Sequence, residues 1–274
     1  MDISFENPPL VELIVELRWL PPGITVGANE SGQTNIPLAM FSPGKADALF
    51  MAFAGLIGGN GFVHSERLMP PGFPSVPFQP IYRYSQSGAA PGRALYQLGA
   101  GIFSIHITPP YRRWNQFRPF VESGIEKLLS ARPAEERNVG FSGTLVRYLD
   151  CFTEKHTAGR SPARFLREVL GIKLELPSAV INRLVPGSEA TAAMQLSVPI
   201  AANRTMSINI AQGRIGSYMG LIMDSSAAST GQLAPIVQDV MRVLDESHQV
   251  ISDFFIELTE PLHAVMGRHD ESKH

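Results

Sequence analysis

Residues 10–19, LVELIVELRW, alternate between two sides. Val11, Leu13, Val15, Leu17 and Trp19 fall on one, and Glu12, Ile14, Glu16 and Arg18 on the other. Side chains of a strand point alternately to opposite faces, so this period of two predicts a half-buried strand. Pro21-Pro22-Gly23 ends it, and residues 24–43, rich in Gly, Asn, Ser and Pro, predict a long loop. Ser42 at a cap position and Pro43 in the first turn predict a helix over 44–57, stopped by Gly58-Gly59-Asn60-Gly61. Pro70, Pro71, Pro74, Pro77 and Pro80 make 68–80 an extended loop. A strand follows at 81–86. Strands at 94–98 and 102–108 form a hairpin around Gly99-Ala100-Gly101. The spacing of Trp114, Phe117, Val121, Ile125 and Leu128 predicts an amphipathic helix over 113–130.

The same order then returns. A strand is predicted at 139–152 and a short helix at 162–170, introduced by Ser161 and Pro162. A strand at 173–184 is broken by Pro177, and further strands lie at 191–198, 205–211 and 215–223. The last helix runs over 232–258, with Leu233, Ile236, Val237, Val240, Met241, Leu244, Ile251, Phe254, Phe255 and Leu258 as its apolar stripe. The tail GRHDESKH is polar and expected to fray. The fold expectation is therefore α+β: two similar strand-helix-strands-helix halves, with antiparallel sheet and helices packed on one side. The halves are 1–134 and 135–274, as two units or as one continuous domain. The repeat rests on element order, because the sequence identity between the halves is poor.

Composition narrows the classes. The chain has 274 residues, 44% of them hydrophobic, enough for a sizeable core. Charged residues reach only 18%, against the usual quarter or so. A net charge of -2 argues against a broad basic footprint for nucleic acid. One cysteine excludes an internal disulfide and a Cys-based zinc cluster. The most apolar run, Ala48 to Ile57, is too short to span a bilayer and reads as a core helix. The start MDISFENPP has no basic segment followed by an apolar one, so the expected compartment is the cytosol, with no membrane partner.

Phe5-Glu6-Asn7-Pro8-Pro9-Leu10-Val11-Glu12, running into the alternating strand, resembles the opening of a sporadically distributed bacterial family of unknown function. That family opens with Phe-x-Asn-Pro-Pro-hydrophobic-x-Glu. Leu145-Val146-Arg147-Tyr148-Leu149 is similar to its central Arg-Tyr strand. The stretch Tyr111 to Phe120, with Trp114 and Phe117, resembles its middle helix, and Leu244, His248 and Phe254-Phe255 resemble its closing helix. Two residues after Arg-Tyr the family usually has Asn; here the residue is Asp150. The resemblance spans most of the chain. It implies a cytosolic bacterial protein of mobile or defence-associated loci, and it brings no activity and no catalytic residues.

Candidate chemistry is sparse. His106 in Ile105-His106-Ile107-Thr108 is half of a two-histidine phosphoesterase constellation, in which one His acts as base and the other as acid. No second His-x-Ser/Thr follows, so a strand histidine with a structural role is the competing reading. His248 sits beside the apolar stripe of the last helix, as a core-edge residue or a ligand contact. His263 and His269, near the tail, read as surface residues. The seven histidines offer no pair at helical spacing with an intervening Glu, so no metal site is expected. Cys151 reads as a buried inert thiol. The glycine runs lack dinucleotide or phosphate-loop spacing, so no cofactor is expected. Glu12, Glu16 and Arg18 share the polar side of the first strand, and Arg147 holds the matching place in the second half. Glu12 or Glu16 pairing with Arg147 is one expectation; separate solvation of each charge is the other. Arg112, Arg113 and Arg118, beside Tyr111 and Trp114, form a basic and aromatic cluster of the kind that binds single-stranded nucleic acid, or simply a solvated helix face.

These features carry three expectations of function. The first is a non-enzymatic protein-binding module, the partner of a toxin or effector in a mobile or defence-associated locus, or a homodimer. The second is a nucleotide-binding sensor or phosphoesterase-like enzyme using His106 and Arg147, with His248. The third is a nucleic-acid binder through Arg112, Arg113 and Arg118.

Overall fold

The alternating segment becomes a strand in the middle of a wide sheet. The computed structural model describes residues 3–22, 27–28, 34–35, 43–70, 76–86, 94–110, 113–173, 175–185 and 191–270. In chain order the elements begin with β1 (Ile3–Phe5), β2 (Leu10–Arg18), β3 (Gly27–Ala28), β4 (Thr34–Asn35) and α1 (Pro43–Gly58). Then come β5 (His64–Arg67), β6 (Pro80–Ser85), β7 (Leu95–Gly99), β8 (Ile102–Ile107) and α2 (Trp114–Ala131). They continue with β9 (Phe141–Phe152), α3 (Glu154–Thr157), α4 (Pro162–Glu168) and α5 (Ser178–Ile181). The last group is β10 (Met194–Ala201), β11 (Arg204–Ile215), β12 (Tyr218–Leu233), α6 (Val237–Leu258), α7 (His263–Met266) and β13 (Arg268–Asp270).

Nine strands form one antiparallel sheet in the order β10-β11-β12-β9-β2-β8-β7-β6-β5. The fold is mixed α+β. On β2 the alternation is realised: Leu13, Val15 and Leu17 are fully buried. They stand opposite Ile107, Ile105 and Phe103 of β8 and Tyr148, Val146 and Thr144 of β9. Residues paired across strands share a face, so these positions make one apolar surface. The helices α1, α2 and α6 cover it. Phe53 of α1 meets Tyr96 and Phe103 edge-on. Gly124 of α2 lies against the Tyr96 ring, where a Cβ would stand 2.8 Å from a ring carbon. The α6 helix packs on β12 and β9, and α2 packs against both other helices.

Several expectations change. The strand foreseen at 173–184 is absent among the described residues. Pro177 has no N–H for a ladder and instead precedes the short helix α5, whose Val180 and Ile181 are exposed. The strand foreseen at 215–223 runs on to Leu233, because Ser225, Ala227 and Ser229 face the core and pair with β9. The last helix accordingly starts at Val237 rather than 232. The tail is not frayed throughout: β13 pairs with β1. His263 is buried, not at the surface. His64–Arg67 adds an edge strand that the polar sequence HSER gave no sign of. The predicted hairpin forms with Gly101 at φ +75°, and Ser161 accepts from the Arg164 amide as the cap of α4. Ser42, Tyr111, Arg112 and most of the 24–43 loop lie outside the described residues.

Candidate functional site

The two faces of the central strands carry two clusters. On the face opposite α1, α2 and α6, His106 Nδ1 lies 2.8 Å from Glu12 Oε1, and its Nε2 lies 2.9 Å from Ser104 Oγ. Ser104 and His106 project together because they are two apart on β8, and Glu12 reaches His106 from the neighbouring β2. The hydrogen-bond order is that of a Ser-His-carboxylate relay. A nucleophile must reach its substrate, and Ser104 is only 3% exposed. It lies mid-strand, paired on both sides with Glu16 and Gln97. A ladder on both sides occupies the backbone amides that an oxyanion hole would need.

Arg147 stands on this face too. It forms two hydrogen bonds to Asp224 of β12, 2.7 and 2.6 Å long. That hydrogen-bonded carboxylate raises the guanidinium pKa further, with Glu12 and Glu16 adding through space. The expected pairing of Arg147 with Glu12 or Glu16 is thus replaced. Ile14 is the residue opposite Arg147, while Glu12 is taken by His106 and Glu16 by Arg18 at 2.6 Å. The signal missed in the sequence was Asp224, which lies far along the chain in a strand that seemed to end before it.

On the helix-covered face a cavity of about 100 Å³ opens between the sheet, α2 and α6. Tyr148 and Asp150 of β9 and Ser225 of β12 form its floor, since all three share the inward face with Val146. Arg113 and Trp114 at the start of α2 and His248 on α6 form one side. Apolar cover comes from Phe5, Leu10, Ile251 and Phe255. Leu10, Ser252, Phe255 and Ile256 are half-buried, so the cavity reaches the surface there.

Hydrogen bonds hold the walls. Tyr148 Oη and His248 Nδ1 are 2.7 Å apart, and the His248 ring stacks on Trp114 at 4.8 Å and 9°. Trp114 Nε1 donates to Asp245 at 2.7 Å, and Arg118 also donates to Asp245. Arg113 donates to Ser4 Oγ at 3.1 Å. Of the basic cluster, then, Arg118 ties α2 to α6 and Arg113 faces the cavity; neither is a free solvated cation.

The floor is different. Ser225 is 1% exposed and its Oγ has no hydrogen-bond partner. Asp150 is 3% exposed, and its carboxyl meets no hydrogen-bond donor among the described residues. Burial first, and the charge of Asp224 second, push the Asp150 carboxyl up to about 8. Burial and Asp150 together raise the neighbouring Cys151 thiol, which fits the inert reading. Among the described residues no group of three or more His, Cys, Asp or Glu is placed to hold a metal, and no described helix is long and apolar enough to cross a membrane.

The sequence singled out His248 and Arg113 but not Tyr148, Asp150 or Ser225 as contributors to one site. The available signal was Asp150 itself, an acid at an inward position of a period-two strand. Comparison with protein-family models, curated proteins and solved structures finds no match for the chain.

Proposed function

We propose that the chain is a non-enzymatic binding protein and that its ligand is a small organic molecule held in the cavity beneath α2 and α6. One observation carries the reading: the Ser225 hydroxyl is buried with no hydrogen-bond partner among the described residues, and the Asp150 carboxyl, its diagonal neighbour and 3% exposed, meets no donor among them either. A buried polar group left unpaired costs about 1–3 kcal/mol. Such groups at the bottom of a pocket lined by aromatic rings and a few further polar side chains are the usual mark of a ligand site. The blocked Ser104-His106-Glu12 relay argues for binding without turnover. Cytosolic location belongs to the same proposal.

The strand order supports an internal duplication as part of this reading. From the β2–β9 seam the strands run outward as β9-β12-β11-β10 on one side and β2-β8-β7-β6-β5 on the other. In each series the opening strand is followed by later strands in reverse chain order, the β2 side having one strand more, and a long helix, α2 or α6, follows the strands of each series. The pocket then lies where the two halves meet.

Native mass spectrometry of protein purified from its own cells tests the proposal. A small molecule released on denaturation, and absent from a Ser225→Leu variant that fills the cavity, is the expected result. A chain that carries nothing and gains no stability from any member of a metabolite library rejects it.

A protein partner, such as a toxin or effector encoded nearby, is the second reading. Its supporting observation is the polar sheet face with Glu12, His106, Arg147 and Asp224. Co-purification of one stoichiometric partner, lost in Arg147→Glu, is its test.

A further inference from the structure

The floor of the cavity can be read more closely. Tyr148 pairs with Ser225 and Asp150 with Met223, so Asp150 and Ser225 are diagonal neighbours on one face. Diagonal side chains on adjacent strands stand about 7 Å apart, which leaves room for one polar group of a ligand between their heads. Four aromatic rings line the space, those of Phe5, Trp114, Tyr148 and Phe255. Its volume of about 100 Å³ is somewhat below that of an apolar cavity known to hold benzene, about 150 Å³. One ring, with an edge toward the half-buried rim, matches it; a whole nucleotide does not.

We infer that this pocket takes a small, neutral, planar group with a hydrogen-bond donor and acceptor side by side, a lactam or ring-amide edge, read by the carboxyl of Asp150 and the hydroxyl of Ser225. The inference rests on the small-ligand reading above and gives it a chemical class.

The electrostatic surroundings favour a neutral partner. Among the described residues the charged and titratable groups around Asp150 are Tyr148 and Cys151 on its own strand, Asp224 on β12, Arg113 at the start of α2 and His248 on α6. Arg113 opposes a ligand cation. Asp224 opposes a ligand anion, although its charge is already matched by Arg147. With its carboxyl pushed up to about 8, Asp150 stands at neutral pH as the acid, offering one O–H donor and one C=O acceptor in one plane. A lactam edge satisfies both at once. Ser225 then donates to, or accepts from, the remaining polar atom.

Calorimetric titration with four probes tests this: 2-pyridone as the neutral lactam, benzylamine as a cation, benzoate as an anion and benzene as an apolar ring. Wild type, Asp150→Asn and Asp150→Leu are compared at pH 6 and pH 9. The expected result is that 2-pyridone is preferred and binds about tenfold more weakly at pH 9, where the acid is ionised. Asp150→Asn keeps a donor and an acceptor in place, so it should bind 2-pyridone within about threefold of wild type and lose the pH dependence. Asp150→Leu should lose about tenfold or more at pH 6. Preference for benzylamine that grows toward pH 9 and vanishes in Asp150→Asn overturns the inference, as does preference for benzoate, or benzene binding as well as 2-pyridone. Each of those results leaves a small-ligand pocket standing. Failure of all four probes to bind wild type rejects the small-ligand reading itself.

Discussion

The phenol of Tyr148 and Nδ1 of His248 lie 2.7 Å apart and join the strand β9 to the long helix α6. His248 is held from its other side by the Trp114 ring, so this one contact ties three elements together at the wall of the cavity. Tyr148→Phe removes the hydrogen bond and keeps the ring. The expected loss is about 1 kcal/mol, seen as a lower urea midpoint with an unchanged slope.

Asp150 should make stability depend on pH in an unusual direction. Its folded carboxyl is raised to about 8 from an ordinary value of 3.8, so the folded state binds a proton that the unfolded state has released. The group's contribution is fully present below about pH 4 and is lost progressively as pH rises toward 8. Asp150→Asn keeps the shape and removes the ionisation. The variant should match wild type near pH 4 and be more stable at pH 7, by up to about 4 kcal/mol. Urea unfolding at both pH values measures it.

Asp224 acts on two neighbours. It holds Arg147 through paired hydrogen bonds, and its charge is the second cause of the Asp150 shift. Arg147 is more than a third exposed, so water screens the pair, and Asp224→Asn should cost only about 1 kcal/mol. The same substitution should lower the Asp150 pKa. The pH range over which stability falls would then end earlier, in the same unfolding series.

Gly101 combines a left-handed backbone with a close backbone approach at the hairpin. Its φ is +75°, and a Cβ there would stand 2.5 Å from the Trp19 carbonyl oxygen. The Gly101 carbonyl in turn accepts from the Trp19 amide at 2.9 Å. Gly101→Ala combines backbone strain with a clash against backbone, so a loss of about 2 kcal/mol or more is expected. A fall in the thermal midpoint tests it.

Arg132 sits almost fully buried between two rings. Its guanidinium carbon lies 4.3 Å from the Trp19 ring centre and 4.5 Å from that of Phe141, and one nitrogen donates to the Val139 carbonyl. Burial lowers its pKa to about 10. Lysine keeps the charge but cannot lie flat between rings. Arg132→Lys should cost about 1–2 kcal/mol, whereas Arg137→Lys on the neighbouring surface should be silent in the same melt.

Local pattern made much of this fold readable. The period of two in Leu13, Val15 and Leu17 and the stripe of Trp114, Phe117, Val121, Ile125 and Leu128 both report which side is buried, and both elements formed where expected. The segment 173–184 misled because its described apolar side chains bury no face; Leu176, Val180 and Ile181 are all exposed. The β1–β13 pairing joins residues at opposite ends of the chain, and no local period encodes such a contact. The cavity was hidden for the same reason. Tyr148, Asp150, Ser225, His248 and Trp114 are spread over four elements, and only the sheet register and helix packing bring them together. What the sequence did display was the anomaly of Asp150 among inward apolar residues.

That anomaly sets robustness against recognition. A laboratory selection that rewarded only resistance to heat or denaturant would replace Asp150 within its first rounds, since almost any neutral side chain that fits gives a firmer fold at neutral pH. It would leave the scaffold intact and remove one of the two buried polar groups, Asp150 and Ser225, at the floor of the cavity.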